Sequence, residues 1–120
     1  MHSNTVLAVV NDLMFAVKID AAAKQAGSLV EYARSFEDAL RLALKKPPLI
    51  IIDLNDKRLE PIALIRSLKS SASTPILGFI SHVDTELRQM ALDTGCDMVV
   101  PRSAFSRKLP ELLKLHTGTV

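Results

Sequence analysis

Four consecutive aliphatic residues, Leu49, Ile50, Ile51 and Ile52, lie between Pro47-Pro48 and Asp53. A run this short, closed by prolines on one side and a carboxylate on the other, has no room for a helix. It does not alternate with polar residues either, so a strand with one solvated face does not explain it. The run predicts a strand covered on both faces, as in a parallel sheet held between two helix layers. Ile50 and Ile52 then face one layer and Ile51 the other.

The rest of the chain supplies those layers. Residues 5–10 (TVLAVV) form a β-branched run that ends at Asn11-Asp12 and reads as a buried strand. Phe15, Ile19, Ala22, Ala23 and Ala26 then recur at helical spacing, with Gly27 as the stop. Residues 29–33 read as a second, less apolar strand. Ser35 is placed to cap a helix with Phe36, Ala39, Leu40 and Ala43 inward, Glu37-Asp38 in its first turn and Lys45-Lys46 in its last. Pro61 suits the first turn of a third helix, with Ile62, Ile65 and Leu68 inward and Arg66 and Lys69 outward; residues 70–74 are a polar linker. Residues 75–80 (PILGFI) form the fourth strand, and Val83, Leu87, Met90 and Ala91 mark a helix ended by Gly95. Residues 98–100 form a brief fifth strand. The last helix carries Phe105, Leu109, Leu112, Leu113 and Leu115, with Pro110 expected to delay or kink its start and residues 117–120 to fray.

Five strands alternating with five helices through short connections imply parallel βαβ units with right-handed crossovers, a doubly wound α/β fold. The length, 120 residues, suits one domain over 1–120. Aromatic residues are 4% of the chain, with no Trp, which speaks against a stacking platform for single-stranded nucleic acid. A net charge of +2 is too small to argue for a polyanion partner, and the Lys57-Arg58 and Arg107-Lys108 pairs read as solvated. The single cysteine, Cys96, excludes an internal disulfide and reads as an inert buried thiol. No signal peptide is evident and no apolar run approaches the ~18 residues of a membrane span, so a cytoplasmic location is expected. No glycine-rich phosphate loop is present, and no nucleophilic catalytic set falls at the strand ends, so the chain is not expected to be an enzyme.

In doubly wound sheets the functional crevice opens at the carboxyl ends of the strands. Here those ends carry Asn11-Asp12, Asp53, Ser81-His82 and Pro101-Arg102. Two carboxylates at one crevice suit a hard divalent cation such as Mg²⁺. Each residue also has a purely structural reading: Asp12 as the cap of the first helix, Asp53 as the end of a strand in an Asx turn, His82 as an ordinary loop histidine.

Across residues 6–113 the chain resembles the receiver domains of two-component response regulators, a CheY-like, flavodoxin-like fold with strand order 2-1-3-4-5. The matching residues are Asp12 after the first strand, Asp53 after the third, Asn55 two places on, Pro75 opening the fourth strand, and Gly95-Cys96-Asp97 before the fifth. The resemblance implies that Asp53 is a phosphoacceptor, and that Asp12, Asp53 and the backbone carbonyl of Asn55 bind Mg²⁺. It also implies a histidine kinase or another signalling protein as partner, with the face of the fourth helix, fifth strand and fifth helix available for a homodimer.

The departures bear on chemistry. Asn11 replaces an acid, weakening the metal site by one charge. Ile80 stands at the hydroxyl position of the fourth strand, with Ser81 one place late and pointing the other way unless the strand end bulges. Arg102 replaces a lysine, and Val99 replaces the aromatic of the fifth strand. Arg102, and Ser81 if it can reach, are therefore the expected phosphoryl contacts. The switch that couples a hydroxyl to an aromatic is impaired. A docking domain with an inactive acidic pocket is the alternative expectation.

Overall fold

The computed structural model describes residues 4–81 and 84–117. His82 and Val83 lie outside the described residues, as do His2 and residues 118–120. Strands β1 (Thr5–Val9), β2 (Leu29–Ala33), β3 (Ile50–Asp53), β4 (Ile76–Ile80) and β5 (Met98–Pro101) form one sheet in the order β2-β1-β3-β4-β5. Every pairing is parallel. Helices α1 (Leu13–Ala26), α2 (Phe36–Ala43), α3 (Pro61–Ser71), α4 (Thr85–Thr94) and α5 (Arg102–Thr117) connect and flank the strands.

The aliphatic run in β3 divides between two cores as its alternation requires. Ile51 packs with Phe79, Val100 and the inner faces of α1 and α5. Ile50 and Ile52 pack with Ile76, Ile80 and Val99 beneath α2, α3 and α4. Each such side chain, fully withdrawn from water, contributes about 1.5–3 kcal/mol.

Local chemistry sets the helix ends. Asp12 caps α1, its Oδ1 accepting from the amides of Met14 (2.9 Å) and Phe15 (3.3 Å). Gly27 ends that helix at φ 73°, a left-handed conformation without a Cβ penalty. Ser35 Oγ accepts from Asp38 N–H at 3.1 Å and caps α2. Pro61 opens α3, whose preceding residue Glu60 is itself left-handed at φ 48°.

Four expectations are corrected. α2 stops at Ala43, ahead of Lys45-Lys46, because the chain tightens before Pro47: Leu44, Lys45 and Lys46 donate to carbonyls three residues back. Lys45 instead pairs with Glu31 of edge strand β2 at 3.1 Å. Inward positions shift too, since Leu42 and Leu64 are buried while Leu40 and Ile62 are only partly so. Lys69 does not point away from the fold; its Nζ donates to Asp97 Oδ2 (2.7 Å) and to the Thr74 carbonyl (3.0 Å). Finally, α5 begins at Arg102 and runs through Pro110. Its buried residues Ala104, Phe105, Leu109 and Leu113 lie on both sides of that proline, so packing outweighs the ~3 kcal/mol helix penalty. Leu115 is exposed.

Candidate functional site

The sheet brings the expected rim residues to one edge. Asp53 is the last residue of β3 and lies opposite Phe79 of β4 in register. It shares its strand face with Ile51, so its side chain is directed to the α1 and α5 side. Asp12 follows β1 as the cap of α1, and Arg102 follows β5 as the first residue of α5. Asn55 lies in the loop after β3, and Ser81 directly follows β4.

Asp12 and Arg102 are joined. The guanidinium Nη2 of Arg102 donates to Asp12 Oδ2 at 2.8 Å, while Oδ1 of the same carboxylate is taken by the two capping amides. The hydrogen bond from Arg102 is the chief reason that the Asp12 carboxyl lies below the ordinary carboxylate range; desolvation opposes it, and the two capping amides add to the lowering. On its other side the guanidinium lies 3.8 Å from the centroid of the Phe15 ring. Phe15 in turn stacks on Phe79 at 4.7 Å, and Phe79 packs on Phe105 at 4.7 Å. Arg102 is therefore held between a carboxylate and an aromatic face.

Asp53 is different. It is only 5% exposed, and burial pushes its pKa up. The amide of Asn55, donating to Oδ1 at 3.0 Å, and the positive charge of Arg102 act the other way, while Asp56 and Asp12 add to the rise. Among the described residues Oδ2 of Asp53 has no hydrogen-bond partner, yet no buried side-chain oxygen is left unpaired. Oδ2 therefore meets solvent at the rim.

A second ring of polar contacts surrounds these groups. Asn11 Nδ2 donates to the Arg34 carbonyl and to Asp56 Oδ2, each at 3.1 Å. Arg58 bonds both oxygens of Asp56 through Nε (3.1 Å) and Nη2 (3.2 Å). The side-chain oxygen of Asn55 accepts from the Ser81 amide, tying the loop after β3 to the end of β4. Ile80 and Val99 are both buried in the core beneath α4. Cys96 is buried, its thiol pKa raised by that burial. Sequence reasoning placed Asp12, Asp53, Asn55 and Arg102 at this rim. It missed Asp56 and the Phe15 face, although Asp56 beside Lys57-Arg58 and Phe15 three places after Asp12 were the available signals.

Asp12, Asp53 and the Asn55 carbonyl are the right kind of donors for a hard cation. They are not disposed as a cation site here. Both oxygens of Asp12 are engaged, and among the described residues no three carboxylate, imidazole or thiol groups converge as metal ligands. No helix among the described residues is long and apolar enough to cross a membrane.

No protein-family model matches the sequence, and no curated protein matches it. Solved structures do match the fold. A signal receiver domain of a response regulator from Bermanella marisrubri superposes with a TM-score of 0.80 at 24% identity, over 95% of this chain and 98% of that one. A response regulator from Hahella chejuensis gives 0.84 at 18% identity, over 93% of each chain. The phosphorylated cyanobacterial phytochrome response regulator RcpA gives 0.78 at 16% identity, over 95% of this chain and 90% of that one. The chain has the fold of response regulator receiver domains.

Proposed function

We propose that this chain is a cytoplasmic, receiver-like signalling module of a two-component phosphorelay, with Asp53 as its phosphoacceptor and a histidine kinase or other signalling protein as its partner. The observation that carries the reading is the state of Asp53: a carboxylate at the end of the central strand, buried except for one oxygen at the rim that has no partner among the described residues. In the transfer, Oδ2 of Asp53 bonds to phosphorus, the bond from phosphorus to the donor atom breaks, and the donor leaves with that electron pair. The charge of Arg102, which already acts on Asp53, is available to the arriving oxygens. The solved neighbour described as phosphorylated supports the chemistry on this fold. Mass spectrometry after incubation with acetyl phosphate tests the reading: one added phosphoryl group is expected, and its persistence in Asp53→Ala would refute Asp53 as acceptor.

Burial of Ile80 and Val99 favours a second reading of the output. A phosphoryl group biases a distant surface only through an element with two arrangements. Neither side chain can bond the phosphoryl group, and neither carries an amphipathic ring that could swing between core and solvent. The face of α4, β5 and α5 is therefore expected to hold one state and to bind its partner, or a second copy, whether or not Asp53 is modified. Self-association measured by analytical ultracentrifugation, with and without Mg²⁺ and beryllofluoride, should change by less than about threefold, or ~0.7 kcal/mol. A shift of about tenfold or more, lost in Asp53→Ala, would show that another route carries the signal, with Ser81 and Arg102 the first residues to examine.

A further inference from the structure

We infer that the Arg102 guanidinium holds the place of a divalent cation in this pocket, so that Arg102 and any metal ion compete for Asp12. The inference deepens the receiver reading, and it rests on that reading only for its consequence that Asp53 is served by a built-in positive charge.

Three independent contacts support it. The first is the engagement of Asp12, whose Oδ2 accepts from Arg102 at 2.8 Å while Oδ1 serves the first turn of α1. A metal ion approaching this carboxylate would have to share Oδ2 with the guanidinium, against its positive charge, or take Oδ1 from the helix cap. The second is the fixing of Arg102 from behind, 3.8 Å from the Phe15 centroid, on a ring that is itself stacked against Phe79. A planar guanidinium suits both contacts at once, the carboxylate by hydrogen bond and the ring by stacking, better than a compact, strongly hydrated ammonium. The third is the partnering of the surrounding acids. Asp56 is taken by Arg58 and by Asn11, whose amide nitrogen also bonds the Arg34 carbonyl. Of the three aspartates at the rim, Asp12 and Asp56 each form an ion pair with an arginine, whereas among the described residues Asp53 feels Arg102 only at longer range. The charge that draws a hard divalent cation into a carboxylate cluster is thus largely neutralised from within.

Asn11 and Arg102 act in the same direction on this pocket, one by carrying no negative charge and the other by adding a positive one. A site with one carboxylate fewer binds a metal less well, and an arginine able to reach Asp12 supplies the missing positive charge permanently. Phosphoryl chemistry at Asp53 would then depend little on free Mg²⁺.

The test is a Mg²⁺ titration of the whole chain followed by ¹⁵N NMR, comparing the wild type with Arg102→Ala and Phe15→Leu. Arg102→Ala frees Asp12 and should bind Mg²⁺ at least about tenfold more tightly than the wild type, with shifts at Asp12, Asp53 and Asn55. Phe15→Leu keeps the charge but removes the ring behind it, and should tighten Mg²⁺ binding by a smaller factor. It remains the informative variant if Arg102→Ala does not fold. Equal Mg²⁺ affinity in the wild type and the variants, within about threefold, would overturn the inference, as would wild-type shifts at Asp12 at low Mg²⁺. Acetyl phosphate labelling, run in parallel with EDTA or with Mg²⁺, keeps the two ideas apart. Absence of label at Asp53 in both conditions refutes the receiver reading alone, whereas label that strictly requires Mg²⁺ refutes the role of Arg102 alone.

Discussion

Gly78 is a small residue with a large task. It sits in β4 opposite Ile52 and Val99, and a Cβ built on it would lie 2.7 Å from Cδ1, 2.9 Å from Cγ and 3.1 Å from Cδ2 of Leu54. Carbon atoms pack at about 3.5–4.0 Å, so Gly78→Ala forces the whole head of Leu54 back by ~0.5–1 Å. Leu54 is 2% exposed, in a layer with the fully buried Leu59 and Ile65 that its retreat would disturb. Overpacking of that kind costs about 1–3 kcal/mol. Alanine in place of a strand glycine returns roughly 0.5–1 kcal/mol of backbone entropy, leaving a net loss of about 1–2 kcal/mol. Urea unfolding should show it as a midpoint lowered by about 0.5–1 M, for an m-value near 2 kcal/mol/M. A double-mutant cycle isolates the cause. Leu54→Ala alone should cost about 2–5 kcal/mol, but on that background Gly78→Ala should be neutral or mildly stabilising. A penalty of equal size in both backgrounds, within the ~0.5 kcal/mol scatter of independent sites, would refute the argument that Leu54 is what the glycine accommodates.

Two further outcomes follow from burial. Ile51 is fully buried between β3 and the α1–α5 layer, so Ile51→Asp places an unpaired charge at a cost of several kcal/mol; circular dichroism should show no cooperative unfolding, and a folded variant of unchanged stability would contradict the two-sided sheet. Burial raises the pKa of Asp53 above its ordinary 3.8, so its contribution to stability is present below that value and is lost as pH rises through the raised one. Asp53→Asn should therefore stabilise the chain at neutral pH by about 1 kcal/mol and bring no gain below about pH 4; destabilisation at neutral pH would make Asp53 a structural cap for the Asn55 turn.

The legible part of this molecule was whatever depends on neighbours in sequence. The run of Leu49 to Ile52 defines a strand covered on two sides because no other local structure suits four aliphatic residues between prolines and an aspartate. From that strand, the placement of Asp53 at the crevice follows by topology. Helix faces were harder, since Leu42 and Leu64 fall beside the stripes that spacing suggests, and the axial rotation of a helix is set by what it packs on. The start of α5 at Arg102 was hidden because the rule for Pro110 is local while the contacts that override it come from α1. The bond from Arg102 to Asp12 spans ninety positions, and nothing in either segment announces it. Both residues were named for the site; that they are committed to one another is a tertiary fact.

The α1–α5 layer has a consequence for how the chain comes into being. During synthesis β3, β4 and β5 emerge in turn, and each can add to the same growing side of β1 as soon as it is available. The face built on Phe15 and Ile19 has no such immediate cover, because the helix that closes over it, α5, follows all five strands. Phe105 must arrive ninety positions after Phe15 to complete a contact of 5.6 Å between ring centroids. Until then a nascent chain carries an open apolar surface beside a nearly finished sheet, the kind of intermediate that aggregates or engages a chaperone. Helix α5 acts as the latch of the whole fold, so premature termination before Arg102 is more damaging than the loss of an equal length of surface loop.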